Sequence, residues 1–131
     1  PVVIKDENGN TEFVVMHNGT IYNYKALAHK YIPEIESTGM TDSQVMARIF
    51  YYAGYDCLSE YYGGAVFVIV DYRRDRKVYL FKGSSKQSTH STTETEEGPL
   101  YYVQTDDTLI FSSSSRYSLK WLKLKSWYLV L

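Results

Sequence analysis

Between Val15 and Tyr24 the chain reads Val-Met-His-Asn-Gly-Thr-Ile-Tyr-Asn-Tyr. Asn18 and Gly19 supply two hydrogen-bond donors side by side, a side-chain amide and a backbone N–H with no side chain beside it. Asn-Gly is a turn former. A tight turn between a strand end and a helix start would aim both donors at one point. Two convergent donors in a fixed frame are the ingredients of an oxyanion hole, which stabilises the tetrahedral oxyanion of acyl transfer. The second group is Asp42, in the first turn of a helix opened by Thr41. The helix dipole favours a carboxylate there, and the same carboxylate can receive a ligand's ammonium. Each feature has a plain structural alternative. Asn-Gly pairs most often serve as turns alone, and the dipole by itself accounts for Asp42.

Other reactive side chains point to less. Cys57 is the single cysteine, which excludes an internal disulfide and a multi-cysteine zinc site. It sits between Asp56 and Leu58 in a short helical stretch and reads as a small buried hydrophobe. His17, His29 and His90 are too dispersed for a local metal site. No Gly-rich phosphate loop is present, and no cofactor is implied. With 14 basic and 15 acidic residues the net charge is −1, which gives no sign of nucleic acid or an anionic membrane as partner. The basic run Arg73-Arg74-Asp75-Arg76-Lys77 reads as a solvated corner. The longest apolar run, Ala65–Val70, is far short of the roughly 20 residues of a membrane span. No secretory signal is visible, and the expected location is the cytoplasm.

The elements that must position these residues follow from period and punctuation. Val2–Ile4 and Phe13–Met16 flank Asn8-Gly9 and predict a hairpin with a type I′ turn. Asn23 fits an N-cap for a short helix carrying Leu27 and Tyr31, limited by Pro33. Thr41 and Gln44 fit a capping box. The helix behind them has the rows Val45, Ile49, Ala53 and Met46, Phe50, and stops at Gly54. Asp56 fits the cap of a short helix through Leu58, Tyr61 and Tyr62, ending at Gly63-Gly64. Ala65–Val70 is β-branched, aromatic and continuously apolar, the pattern of a strand covered on both faces. Val78–Phe81 is its return strand. Residues 83–98 are a Ser/Thr-rich surface loop. Leu100–Val103 and Thr108–Phe111 make a further hairpin, a short helix is expected near Tyr117–Trp121, and Trp127–Leu131 is a terminal strand. The class is α+β, with helices on a largely antiparallel sheet and more than two layers. The 131 residues suit one domain.

In this order the motifs resemble those of class II glutamine amidotransferases, the asparagine synthetase branch above all. His17–Leu27 is similar to the family's HNGxIYNYxxL segment, and Thr41–Val45 to its (S/T)D(S/T)EV helix start. Gly54–Leu58 with Gly63–Asp71, then Lys77–Phe81, Pro99–Tyr102 and Leu109–Ser113, resemble its later strands, so the likeness spans roughly residues 9 to 119. It implies the four-layer αββα sandwich of N-terminal-nucleophile hydrolases. It also implies hydrolysis of the glutamine side-chain amide, with ammonia passed to a synthase domain or protein partner. On this resemblance Asn18 and the Gly19 N–H match the oxyanion pair, Asp42 matches the holder of the glutamine α-ammonium, and Thr20 stands among the substrate contacts.

The sequence departs from the family pattern in four places. The family's nucleophile is an N-terminal cysteine whose α-amine can act as base. This sequence begins at Pro1, and Cys57 does not replace that residue. The expectation is one amidotransferase-like domain over 1–131, N-terminally incomplete relative to the family, without its first strand segment and inactive on glutamine as it stands. Thr20 replaces a frequent Glu, the 83–98 loop replaces a shorter connection, and no synthase domain follows. Two other readings stay open. In one the chain keeps the fold as a binding or assembly domain, for which the tyrosine pairs 51–52, 61–62 and 101–102 are candidate surfaces. More remotely, Pro1 could be the amine base of a tautomerase.

Overall fold

A computed structural model describes residues 1–84, 100–112, 122–123 and 127–130. The chain opens with a hairpin of β1 (Val2–Lys5) and β2 (Thr11–Ile21). Asp6 closes the loop between them. Its carboxylate accepts the amides of Asn8 and Asn10 at 2.9 and 2.8 Å and the Asn10 side chain at 3.0 Å. Those bonds, the Asn10 side chain first, hold the Asp6 carboxyl below its usual range. Gly9 alone in the loop has positive φ, at 84°. The turn is therefore not type I′, which needs two such residues.

Helix α1 (Tyr24–Tyr31) stops before Pro33 as expected, but Asn23 does not cap it. The Asn23 side chain instead accepts from the Tyr62 amide at 2.7 Å and donates to the Glu60 carbonyl at 3.0 Å. The Glu60 carboxylate takes Lys30 Nζ at 2.7 Å and the Tyr31 hydroxyl at 2.6 Å. Both ends of α1 are thus tied to the same downstream loop. Helix α2 (Asp42–Ala53) carries the full capping box between Thr41 and Gln44. Val45, Met46, Ile49 and Phe50 are buried, whereas Ala53 is exposed. The short helix that follows is a 3-10 turn over Asp56–Ser59 with Tyr55, not Asp56, at its N-cap position and no side-chain cap, and it ends before Tyr61.

Strand β3 (Gly63–Asp71) lies between β2 and β4 (Lys77–Ser84). With β8 (Trp127–Val130) they form a sheet in the order β1-β2-β3-β4-β8. A second sheet orders β6 (Leu109–Ser112), β5 (Tyr101–Gln104) and β7 (Leu122–Lys123). All described pairings are antiparallel. Alternation along β3 explains its continuous apolarity. Ala65, Phe67 and Ile69 join Phe13, Val15 and Phe81 under the helices, while Val66 and Val68 join Leu80 and Leu100 beneath the second sheet. The layers are helices, five-stranded sheet and three-stranded sheet. A fourth, helical layer is not found among the described residues. The expected loop over 83–98 and the helix near Tyr117–Trp121 lie almost wholly outside them. No described helix is long and apolar enough to cross a membrane.

The basic corner is less solvated than its composition suggests. Arg73 makes a two-nitrogen contact with Asp71 at 3.0 and 3.1 Å, donates to the Tyr51 carbonyl at 2.9 Å, and lies over the Phe13 and Tyr51 rings. Among the tyrosine pairs, Tyr61 is buried and Tyr51 packs on the core, leaving Tyr52 and Tyr62 exposed.

Two glycines set the approach of β2 to β3. Gly19 has φ 129° and Gly63 φ 134°. A Cβ on Gly19 would lie 2.1 Å from the Gly64 oxygen, and one on Gly63 2.0 Å from the Thr20 oxygen. Neither position has room for a side chain. Gly54, at φ 83°, faces open space. Gly63→Ala therefore adds backbone overlap to the roughly 1–3 kcal/mol of an unfavourable φ, whereas Gly54→Ala bears the strain alone. Urea denaturation of the two variants is expected to show Gly63→Ala losing clearly more stability; equal losses would contradict the close approach.

Candidate functional site

The stretch read as a turn at His17-Asn18-Gly19 is not one. β2 runs straight through it, with His17 opposite Phe67, Asn18 opposite Val66 and Gly19 opposite Ala65. Nine successive pairings to β3 outweigh the local turn preference of Asn-Gly. The glycine serves instead to let the strands close. Helix α1 begins only after Ile21.

The parity of the ladder determines where the backbone groups point. At its two ends, the Tyr72 amide donates to the Glu12 carbonyl and the Tyr22 amide to the Tyr62 carbonyl, at 2.9 and 2.8 Å. Even-numbered residues of β2 thus face β3 with their hydrogen-bonding groups, and odd-numbered residues face the other edge. β1 covers that edge only as far as Val15. The Gly19 N–H projects from the uncovered part. Side chains alternate independently of this. His17 and Ile21 turn toward the helices, and Asn18 and Thr20 toward the opposite face. Asn18, Gly19 and Thr20 are all exposed, and among the described residues the Asn18 side-chain amide has no hydrogen-bond partner.

Asp42 reaches the same end of β2 from the start of α2. Its Oδ2 accepts the Ile21 N–H at 2.9 Å, an amide that points away from β3 and has no strand partner. Its Oδ1 accepts the Ser43 N–H at 2.7 Å. The carboxylate is thereby fixed by two backbone donors while each oxygen keeps a second lone pair. No bond joins Asn18 to Asp42. The three steps from residue 18 to residue 21 span about 10 Å of strand, so the two lie at one end of the sheet without touching.

His17 and Ser43, which the sequence did not single out, complete the junction. His17 Nδ1 lies 2.8 Å from Ser43 Oγ, and the ring stacks on Phe67 at 4.5 Å with 19° between planes. Burial pushes the His17 imidazolium below its usual range, partly opposed by the Asp42 charge. The only sequence signal for this pair was its place beside Asn18 and Asp42. Cys57 lies elsewhere, in the core with no exposed surface, and burial pushes its thiol up to about 12. Among the described residues no cluster of His, Cys, Asp and Glu could hold a metal ion.

Comparison with known proteins gives the family. Residues 3–120 match the family described as glutamine amidotransferase domain. The chain belongs to that family. It is also 32% identical over 108 residues to a Methanocaldococcus jannaschii protein that carries the name of a glutamine-hydrolyzing asparagine synthetase. That match covers 82% of this chain but 18% of the relative. The chain thus spans a small part of the relative's length, and the β2–α2 junction lies within the residues 3–120 that match the family.

His17 gives the junction a pH dependence of known sign. The folded state binds the imidazole proton less tightly than the unfolded chain does. Its contribution is therefore complete above the unfolded pKa of about 6.5 and is lost as pH falls below it. His17→Phe keeps the stack but cannot titrate. Urea midpoints at pH 7.5 and 5.5 are expected to fall further for the wild type than for His17→Phe. An equal fall would remove His17 as the cause.

Proposed function

We propose that this chain is the glutamine-binding part of a class II amidotransferase, one domain on the N-terminal-nucleophile hydrolase fold. Its chemistry is hydrolysis of the glutamine side-chain amide to supply ammonia to a synthase. The observation that carries this reading is the position of Asn18, Gly19 and Asp42 at one end of β2, in a chain of this family. The layering of helices on two antiparallel sheets is compatible with an αββα sandwich.

In this reading the glutamine α-ammonium docks on the Asp42 carboxylate through its remaining lone pairs. The side-chain carbonyl oxygen meets the free Asn18 amide and the outward Gly19 N–H, with Thr20 beside them. When a thiolate attacks the amide carbon, charge moves onto that oxygen and the two donors stabilise it. Collapse of the intermediate forms a thioester and releases the nitrogen as ammonia, carrying the proton that the attacking thiol gave up, and water then cleaves the thioester to glutamate and free thiol. Losing one such donor costs about 10²–10³ in rate in hydrolases. Cys57 is not the attacking thiol, because its burial leaves neither access nor thiolate. The synthase that uses the ammonia is a partner of the kind the relative's name describes.

A ¹⁵N-labelled sample titrated with L-glutamine tests the binding half of the proposal. Shifts are expected at the Asn18 side-chain amide, Gly19 and Ile21. Asp42→Asn is expected to weaken binding about tenfold or more, the effect of losing one charge-assisted bond. Shifts that leave Asn18 and Ile21 unmoved would overturn the assignment.

A further inference from the structure

The three exposed residues Asn18, Gly19 and Thr20 are gripped on both sides by two consecutive residues of α2. Asp42 holds Ile21 through its backbone amide, and Ser43 holds His17 through its imidazole. We propose that His17 and Ser43 are a positioning pair, which with the Asp42–Ile21 bond keeps the Asn18–Gly19 donors in a fixed place relative to the Asp42 carboxylate. The ligand it serves rests on the glutamine reading above; the clamp itself does not.

Each link in the chain of contacts is stiff. The His17 ring is stacked on Phe67, which is fully buried and braced edge-on by Phe50 at 5.1 Å. The imidazole cannot swing without opening the core. Ser43 lies in the first turn of α2, whose start is fixed by the Thr41–Gln44 capping box. Ser43 Oγ also lies 3.5 Å from Asp42 Oδ1, at the outer limit of a hydrogen bond, and the His17 Nε2 atom is buried with no hydrogen-bond partner among the described residues.

The need for two grips lies in Gly19. A glycine inside a five-residue span is a torsional weak point. The β3 ladder holds the Asn18 and Thr20 backbones along one edge, and the two grips from α2 add the hold on the helix side of the strand. Held at 17 and at 21, the span has no free end. Donors to a developing oxyanion act only when they are already in place.

The test uses the ¹⁵N-labelled chain and four variants: His17→Phe, Ser43→Ala, the double variant, and Ser43→Thr, which keeps the hydroxyl. Two readouts are taken: backbone order parameters along β2, and glutamine affinity from the Gly19 shift. In the wild type, residues 18–20 are expected near the rigid value of about 0.85. In His17→Phe and Ser43→Ala they are expected to fall toward about 0.6, with residues 13–15 unchanged. The double variant should be no looser than either single one, and Ser43→Thr should behave as wild type. Glutamine affinity should fall about tenfold in the loosened variants. Order parameters at 18–20 that do not change, or that fall equally at 13–15, would overturn the proposal. If the wild type shows no glutamine shift while the variants still loosen, the glutamine reading fails and the positioning pair stands.

Discussion

The approach of β2 to β3 governs everything at the site end of this fold. At the pairing of Thr20 with Gly64 the two backbones come so close that neither Gly19 nor Gly63 could carry a Cβ. Both glycines take backbone angles that other residues rarely adopt. Because the strands meet there, the ladder keeps its register to the last residue, and its parity sends the odd-numbered amides to the outer edge. The Ile21 amide becomes available to Asp42 for that reason. The Gly19 amide becomes available to solvent or ligand for the same one.

Around that contact the structure spends its polar groups on joining elements rather than finishing them. Asn23 leaves α1 uncapped in order to hold residues 60 and 62. Arg73, half-buried, joins the end of β3 to α2 across the Phe13 and Tyr51 rings. Asp42, which the helix dipole would favour in any case, turns its carboxylate to a strand amide. In each case a short side chain or planar fork bridges elements distant in sequence, and the bond sits at the edge of the core, where loss of water costs less than in its centre.

These bridges mark the boundary of what the sequence reveals. The helix rows from Val45 to Phe50, the capping box and the doubly covered strand at 65–70 were legible, because each is a local pattern whose period matches its burial. The family was legible from the order of its motifs. Asn18 to Thr20 was misread as a turn because Asn-Gly carries a strong local preference. The partner that overrides it, Gly63-Gly64, lies some 45 residues away. Asn23 failed as a cap for a similar reason: a side chain able to cap can equally bond to something distant, here residues 60 and 62. His17 and Ser43 were visible only through their places beside Asn18 and Asp42, since a single histidine and a single serine carry no period.

Cys57 shows what complete enclosure means for an experimenter. Its sulfur lies in the core beside the short helix after α2, with no surface exposed and a thiol that resists ionisation. Chemical labels attack the thiolate. The native molecule is therefore expected to be nearly inert to them, and modification must wait for the core to open. A single-cysteine chain of this kind carries its own unfolding clock: in slow-opening conditions the labelling rate counts excursions out of the native state. The residue that looks like a candidate for chemistry is the one best suited to timing the fold.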